Sequence, residues 1–473
     1  MTPKPPIQNP RPKASQTPLR SLRGGQWWHW HRSGLAFSVA LLLTAGVWLG
    51  ANLSRSETHP SAQLSPTAAP SAKPNPVLPW QLAFEATPPT PQIHSQNPEQ
   101  MVRQIFAHMV QGERAQALSI ASTLSTQLPH FQLGQLLYAD LLNISATAPL
   151  AWTESEAITP ADKEKRLDAL RLEFQRRVQR DETPSLQGKI PAALAYLSPQ
   201  QSHVAAVDIS KSRLYWFANR SDLQGNLRLQ LVKETYISVG LNGSGKALEG
   251  DGKTPLGVYF ILNNIPGQNL PDLYGAGALT LNYPNAVDLM RQRTGSGIWL
   301  HGTPSDQYTR APESSDGCVV MSNPDMAQLL ELPNLRMTPV LIANQLDWVP
   351  ETHNDQALEL IKTVVEPWMQ ARRQAQPDLL KPLYSQRFER EGKDLAHWWP
   401  QILRTSQTQA KDTKLELISA LHWQDDGHQM VVTVKSSLLP HVKRSKRGQR
   451  TSFWRTYWQK EDAKWRIVYE GPG

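Results

Sequence analysis

The chain has 473 residues, of which 40% are hydrophobic and 19% are charged, with 38 prolines and one cysteine. At roughly 100–200 residues per domain, this length predicts several domains. The single cysteine excludes an intramolecular disulfide, and it excludes a disulfide-scaffold or multi-cysteine metal protein as well. The formal net charge of +8 suggests nucleic acid or an anionic membrane as a partner, so the position of the basic residues decides between them.

The basic excess lies at the N-terminus. No acidic residue precedes Glu57, and the basic residues ahead of the first apolar segment are Lys4, Arg11, Lys13, Arg20, Arg23 and Arg32. Without this tail (residues 1–33), basic and acidic residues nearly balance. The rest of the chain therefore lacks the basic excess that a nucleic-acid-binding face needs, and we expect no nucleic-acid partner.

Residues 34–53 form an uncharged apolar segment. About twenty residues at 1.5 Å each span roughly 30 Å, the thickness of a bilayer's hydrocarbon core. Trp27, Trp28 and Trp30 border the segment as an aromatic belt would. By the positive-inside rule, we predict a membrane-spanning helix with the N-terminus in the cytoplasm and the following chain exported.

A cleaved signal peptide and a buried soluble helix are the alternatives to this anchor. Signal cleavage needs small residues near the cut, whereas Leu49 or Trp48 would stand two positions before cuts after Ala51 or Gly50. We therefore predict an uncleaved signal anchor. Residues 54–97 are rich in Pro, Ala and Ser, which predicts an extended linker.

The chain after the linker divides into a helical region and a β-rich region. Across residues 98–187, apolar residues recur at spacings of three and four, and Thr159-Pro160 is typical of a helix start. This region is predicted to be a spacer or docking module, or simply a helical domain. From residue 203 to residue 345 the period changes to two, which predicts a mainly-β domain.

Residues 355–473 predict an α+β unit. A helix over 357–374 and a second helical stretch with Tyr384, Phe388, Trp398 and Trp399 precede strand-like runs at 414–423, 429–437, 451–459 and 465–469. The basic run 441–450 lies between two of these strands. It is either a solvated hairpin tip or a contact for an anionic polymer.

The candidate chemistry lies between residues 297 and 330, where His301 ends a strand and Cys318 follows seventeen residues later. A thiol becomes nucleophilic when an imidazole takes its proton, and a third group must orient that imidazole. Gly317 permits a backbone that aims consecutive N–H groups at an oxyanion. Arg310 would bind a substrate carboxylate. The alternatives are a buried structural cysteine, a merely hydrogen-bonded histidine and a surface arginine.

Several motifs occur together and in order: VDISKSRLYWF, GDGKTPLG at 250–257, LTLNYPNAVD, HGT at 301–303 and SDGCVVMSN at 315–323. In these motifs, residues 203–342 resemble the catalytic domain of L,D-transpeptidases of the YkuD type. The resemblance implies an enzyme that acts on peptidoglycan stem peptides. It places the anchor in the bacterial inner membrane and the catalytic part in the periplasm.

The resemblance also implies residue roles. Cys318 would form an acyl-enzyme with a tetrapeptide stem, His301 would act as general base and then acid, and the Gly302 carbonyl would orient the imidazole. The oxyanion hole would consist of the N–H groups of Gly317 and Cys318. The residues expected to contact substrate are Thr303, Arg310, Ser315 and Asp316. No metal or organic cofactor is implied.

The sequence departs from the common family pattern at Asp316, where histidine is frequent, and at Val320, where arginine is frequent. The S-D-G-C variant also occurs in relatives that resemble amidases, which cleave links between peptidoglycan and lipoprotein. A hydrolase or amidase with the same site therefore stays open, with an envelope lipoprotein or another wall protein as a partner. A non-catalytic envelope-binding protein is the third alternative.

The C-terminal α+β unit more weakly resembles the cone-shaped fold of nuclear-transport-factor and ketosteroid-isomerase-like domains. Its tryptophans would either line a pocket for glycan or peptide or pack in the core. They are Trp368, Trp398, Trp399, Trp423, Trp454, Trp458 and Trp465.

Overall fold

The computed structural model describes residues 97–145, 159–179, 186, 188–221, 228–351, 355–423, 429–439 and 451–473. The predicted basic tail, membrane anchor and nearly all of the proline-rich linker lie outside the described residues, and so does the basic run 441–450. Within the described part of the chain, no helix combines the length and the apolar character that crossing a bilayer requires.

The first described region is helical, as predicted. Its helices are α1 (Pro98–Val110), α2 (Arg114–Gln127), α3 (Gln132–Ser145) and α4 (Pro160–Val178). Side-chain caps set two of the starts, because Asn97 accepts the N–H of Glu99 at 3.0 Å and Thr159 accepts that of Asp162 at 3.2 Å. The apolar faces of the four helices meet in one core, which includes Met101, Ile105, Leu124, Phe131, Leu137 and Phe174.

The central β domain is built on an eight-stranded sheet in the order β11-β9-β8-β7-β12-β3-β4-β5. The strands up to residue 350 are β1 (Lys189–Pro191), β2 (Leu194–Leu197), β3 (His203–Asp208), β4 (Arg213–Asn219), β5 (Leu229–Tyr236), β6 (Val239–Gly240), β7 (Gly257–Pro266), β8 (Gly277–Leu281), β9 (Trp299–His301), β10 (Glu313–Ser315), β11 (Val319–Val320), β12 (Pro339–Ala343) and β13 (Trp348–Pro350). Two short helices accompany them, α5 (Ala286–Met290) and α6 (Asn323–Leu330). The mainly-β prediction is confirmed.

Both faces of this sheet are covered, which explains its uniformly apolar central strands. In β3, Ala205 and Val207 lie in one core, whereas Val204 and Ala206 lie in a second core on the opposite face. Successive strand residues point to opposite faces, so burial on both sides requires a continuous apolar run.

The two edges of the eight-stranded sheet approach each other. Ser238, two residues after the end of β5, exchanges two backbone hydrogen bonds of 2.8 Å with Val320 of β11. The adjacent β6 pairs in parallel with β10. The sheet therefore curls back on itself, and its edge strands gain partners instead of ending in solvent.

The C-terminal region combines helices with a curled antiparallel sheet, as predicted. Its elements are α7 (Asp355–Leu360), a π-helical turn (Ile361–Val365), α8 (Glu366–Arg373), α9 (Pro377–Leu380), α10 (Leu395–Asp412), β14 (Thr413–Trp423), β15 (Gln429–Leu438), β16 (Thr451–Glu461) and β17 (Lys464–Pro472). The π turn interrupts the helix predicted over 357–374. It lies directly before Pro367, which has no N–H to continue an α-helical ladder.

The second predicted helical stretch needs correction. Trp398 and Trp399 lie in α10, but Tyr384 and Phe388 precede it and pack in the core of the C-terminal region outside any α-helix. Trp368 and Trp458 are 1% and 0% exposed and meet edge to face, with 5.8 Å between ring centroids. Trp454 lines a cavity of about 590 Å³. Core packing therefore accounts for the two most buried tryptophans of the C-terminal region.

The C-terminal sheet is continuous with a strand from before the central domain. β2 pairs antiparallel with β14, so the five-stranded sheet has the order β17-β16-β15-β14-β2. Leu194 and Leu197 of β2 share a core with residues of both regions. At the same interface, the guanidinium of Arg455 stacks 3.5 Å from the ring centroid of Phe260. The C-terminal unit therefore packs against one face of the central sheet.

Candidate active site

The parallel pairing of β9 with β11 places His301 and Cys318 on the same face of the sheet. Leu300 pairs with Val319, and both side chains lie in the same buried core. Side chains alternate along a strand, so His301 and Cys318 both lie on the opposite face, with His301 paired to Val320, two residues after Cys318. Residues seventeen positions apart in the sequence thus share one face of adjacent strands.

His301 is held in one tautomer. Its Nδ1 lies 2.6 Å from the Gly302 carbonyl oxygen, and a carbonyl only accepts hydrogen bonds, so Nδ1 carries the proton. Nε2 is left with a free lone pair as the basic atom. Burial lowers the pKa of His301 to about 4, against the opposing effect of the Gly302 hydrogen bond, and the charge of Arg310 lowers it further. The imidazole is therefore neutral at neutral pH.

Asn323 fixes the backbone around Gly302. Its Oδ1 accepts the N–H of Ala276 at 2.8 Å, and its Nδ2 donates to the Thr303 carbonyl at 2.8 Å. A Cβ on Gly302 would stand 2.2 Å from this Oδ1, so only glycine fits there. The Gly302 N–H donates to the Tyr274 carbonyl at 3.1 Å. The carbonyl that orients His301 is therefore itself held in place.

Tyr274 also packs against His301. Its ring meets the His301 imidazole edge to face at 5.1 Å and lies 4.8 Å from the ring of Trp299. Sequence reasoning missed both Tyr274 and Asn323. The signal for Asn323 was present in the SDGCVVMSN motif, whereas Tyr274 stands in a stretch without any recognisable pattern.

The Cys318 thiol is half-buried and protonated in the resting site. Its Sγ donates to the Gly297 carbonyl at 3.3 Å. Burial raises the pKa of Cys318 to about 11. The backbone N–H of Trp299 and the cations Arg310 and Lys246 act in the opposite direction, and Asp316 adds to the rise. Thiol and imidazole are thus both neutral at pH 7, which suits base-assisted attack better than a preformed thiolate.

Ser315 organises the nucleophile loop from inside. Its side chain is 3% exposed, its hydroxyl donates to the Cys318 carbonyl at 2.6 Å, and its Oγ accepts the Gly317 N–H at 3.1 Å. This corrects two predictions. Ser315 shapes the loop and does not face substrate, and the Gly317 N–H is engaged within the loop. The Cys318 N–H stays the predicted donor of the oxyanion hole.

Thr303 is another predicted substrate contact that the structure corrects. It is 0% exposed, and its hydroxyl donates to the Gln307 carbonyl at 2.7 Å. The side chain therefore stabilises the loop after His301 and is inaccessible to a substrate. Asp316, by contrast, is exposed beside the nucleophile.

The 250–257 turn supports the nucleophile from the opposite side. The Asp251 carboxylate accepts from Lys246 Nζ at 2.9 Å and from the backbone N–H groups of residues 247, 248 and 253. Burial opposes ionisation of Asp251, but these hydrogen bonds outweigh it and hold its pKa well below the usual range. Thr254 accepts the Gly240 N–H and donates to the Gly317 carbonyl, both at 2.9 Å.

Arg310 supplies positive charge next to the nucleophile. Burial lowers the pKa of its guanidinium, and the negative charges of Asp316 and of an ionised Cys318 counteract this. The Arg310 charge changes the pKa of Cys318, and an ionised Cys318 changes that of Arg310. The guanidinium and the thiol therefore lie close enough to interact electrostatically. Among the described residues, no group of three or more His, Cys, Asp or Glu side chains is arranged to hold a metal ion.

Comparison with known proteins gives a family for the central domain. Residues 202–342 match the family model of the YkuD L,D-transpeptidase catalytic domain. Bd1075 of Bdellovibrio bacteriovorus is 26% identical, with a TM-score of 0.47 over 60% of this chain and 98% of that one.

Two further solved structures are similar to parts of the chain. The helical cell shape determining protein Pgp2 of Campylobacter jejuni is 18% identical, with a TM-score of 0.44 over 57% of this chain and 91% of that one. A Shewanella frigidimarina protein assigned as a ketosteroid isomerase is 10% identical, with a TM-score of 0.19 over 23% of this chain and 91% of that one. No curated protein matches the chain.

Proposed function

Because residues 202–342 form a YkuD-type L,D-transpeptidase catalytic domain, we propose that this protein is a cysteine L,D-transpeptidase acting on peptidoglycan stem peptides. The observation that carries the proposal is the state of His301. It is neutral, its Nδ1–H is fixed on the Gly302 carbonyl, and it shares a strand face with the Cys318 thiol. A neutral, oriented base on the same face as a neutral thiol suits base-assisted acyl transfer.

In the acylation step, Cys318 Sγ attacks the carbonyl carbon of the L,D peptide bond in a tetrapeptide stem. The carbon–sulfur bond forms as the thiol proton moves to Nε2 of His301. The Cys318 N–H stabilises the resulting oxyanion. When the intermediate collapses, the carbon–nitrogen bond breaks, and the terminal D-alanine leaves with the proton from Nε2 on its amine. A thioester remains on Cys318.

In the transfer step, an amine of a second stem peptide attacks this thioester. His301 Nε2 takes a proton from the attacking nitrogen, the carbon–sulfur bond breaks, and Sγ recovers a proton from Nε2. Atoms and protons balance over the cycle without any other reactant. If water replaces the amine, the same site becomes a hydrolase.

Arg310 is the proposed recognition residue for a substrate carboxylate. Stem peptides carry carboxylates close to the bond that is cleaved, and a guanidinium binds a carboxylate through paired, charge-assisted hydrogen bonds. Asp316 is exposed two residues before Cys318. We propose that it helps to restrict the acceptor by repelling anionic groups, in place of the substrate-binding role expected from sequence.

Acylation by a carbapenem tests the nucleophile. We expect intact-mass analysis to show one adduct on the wild type and none on Cys318→Ala, because Cys318 is the chain's only cysteine. Ser314→Ala is the matched control, since Ser314 is an exposed residue of β10, four positions before Cys318, and it should acylate normally. An adduct on Cys318→Ala would refute the proposal.

Muropeptide analysis distinguishes transfer from hydrolysis. With sacculi rich in tetrapeptides, the transpeptidase should generate cross-linked dimers that Cys318→Ala does not generate. Cleaved links without new dimers would instead establish the hydrolase or amidase. Binding to sacculi without any reaction would establish a non-catalytic wall-binding protein.

We also propose that residues 34–53 anchor the protein in the inner membrane and that the catalytic part lies in the periplasm. The uncharged segment after a basic tail supports this proposal. The single cysteine offers a direct test. A membrane-impermeant maleimide should label Cys318 in intact spheroplasts, with Cys318→Ala as the unlabelled control, whereas labelling only after lysis would refute the proposed location.

A further inference from the structure

The segment between His301 and the nucleophile loop extends onto the helical region. This connecting loop, residues 303–312, carries Arg310. The Tyr308 N–H donates to the His130 carbonyl, between α2 and α3, at 3.2 Å. The Tyr308 ring meets Phe131 edge to face at 5.1 Å and packs against the helical core. The loop is therefore in contact with both the central β domain and the helices.

Thr309 ties the loop to α4. Its hydroxyl donates to Glu173 Oε1 at 3.1 Å and accepts from Arg177 Nη2 at 3.3 Å. Glu173 and Arg177 are 2% and 3% exposed and form a 2.8 Å ion pair with each other. The hydroxyl of Thr309, the residue directly before Arg310, thus donates to one member of a buried ion pair and accepts from the other.

A second link reaches the backbone of Arg310 itself. The Tyr236 hydroxyl donates to the Arg310 carbonyl at 3.0 Å. The Arg177 guanidinium lies 3.9 Å from the centroid of the Tyr236 ring. Arg177 therefore supports the connecting loop in two ways, through the Thr309 hydroxyl and through the Tyr236 ring.

A further acid and arginine complete the buried cluster. Glu99 of α1 pairs with Arg177 and also with Arg213 of β4, and both arginines are 3% exposed. Burial works against ionisation of Glu99, but the two arginines outweigh it and lower the pKa of the carboxyl. A buried ion pair contributes little net stability because desolvation offsets its attraction. It does, however, hold the side chains that it contacts, Thr309 and Tyr236, in defined orientations.

We infer that the helical region is a positioning element of the active site, in which Glu173 and Arg177 hold Thr309 and Tyr236 and thereby set the place of Arg310 for the substrate carboxylate. The inference rests on the proposed function, since it assumes that Arg310 binds a stem-peptide carboxylate. Glu173, Arg177 and Thr309 are positioning residues, because they act through Arg310 and do not touch the substrate.

Thr309→Val in the full chain tests the inference, because it removes the hydroxyl and keeps the shape of the side chain. Its KM for a tetrapeptide stem should rise about 3- to 10-fold while kcat stays near the wild-type value. Arg310→Ala should raise KM by about 10- to 100-fold, as expected for loss of a hydrogen bond to a charged group. In the Arg310→Ala background, Thr309→Val should have no further effect.

Three controls separate positioning from loss of structure. Thr309→Ser keeps the hydroxyl and should restore the wild-type KM. Thr123→Val removes an exposed helical hydroxyl that bonds only the Ser119 carbonyl of its own helix, and it should change nothing. A tetrapeptide stem with its carboxylates amidated should show the same KM with Thr309→Val and with the wild type, because it offers Arg310 no carboxylate to bind.

The outcomes distinguish the inference from the proposed function. An unchanged KM in Thr309→Val overturns the inference while the proposed function stands. The same holds for an equal effect with and without Arg310, or for an equal rise of KM with the amidated stem, since either would show general loosening of the site. A wild type that does not turn over tetrapeptide stems refutes both.

Discussion

Gly317→Ala is the substitution for which the structure gives the clearest expected cost. Gly317 has φ of +125°, a backbone conformation that residues with a Cβ rarely adopt, and a Cβ there would stand 2.6 Å from the Lys253 carbonyl oxygen. The backbone conformation costs about 1–3 kcal/mol, and forcing a methyl group into this packed position costs about 1–3 kcal/mol more. To relieve the contact, the loop must move away from the 250–257 turn and take Cys318 with it.

A displacement of about 1 Å at a reacting atom lowers the rate by roughly 100-fold, so Gly317→Ala should lose activity beyond its loss of stability. Denaturant unfolding would measure the free energy of unfolding, and carbapenem acylation would measure the reactivity of Cys318. Gly243→Ala is the matched control, because Gly243 also has a positive φ, of +77°, but a Cβ there would meet nothing within 4 Å. Acylation of Gly317→Ala at the same rate as Gly243→Ala would refute the steric reasoning.

Two further predictions concern buried titratable groups. His301 has a pKa of about 4 when folded, below the ~6.5 of an unfolded histidine, so between these values the unfolded chain binds more protons. Stability should therefore fall by up to about 3 kcal/mol as pH drops from 6.5 to 4, and a His301→Gln variant that shows the same fall in a pH series of denaturant unfolding would contradict this. Arg372→Met should cost about 3–5 kcal/mol, because it leaves the Glu470 carboxylate, 2% exposed and 2.5 Å from Arg372 Nη1, without its cation. Calorimetry and denaturant unfolding check this, and a loss below about 1 kcal/mol would refute the reasoning.

Local features of the sequence determined much of the fold. Proline after a capping residue predicted the start of α4, and the change of period at residue 203 predicted the β domain. The strand-like runs after residue 413 coincide with β14 to β17 within a few residues. Capping, turn chemistry and side-chain alternation depend on residues a few positions apart, so they can be read without knowledge of the tertiary structure.

The sequence by itself also singled out Cys318 and His301, because the chain has one cysteine and the flanking motifs are distinctive. It could not assign hydrogen bonds within the site. Thr303 and Ser315 are polar residues in the right motifs, but the folded chain buries both and uses their hydroxyls internally. Whether a hydroxyl faces a substrate or its own loop depends on backbone direction, which residue type does not encode.

Only the tertiary structure joined elements that are distant in the chain. β2 pairs with β14 more than 200 residues later, and Thr309 meets Glu173 at a separation of 136 residues. Periodicity shows which face of an element is apolar but not which other element covers it. The sequence therefore predicted the helices of the helical region. Only the tertiary structure showed that these helices contact the loop that carries Arg310.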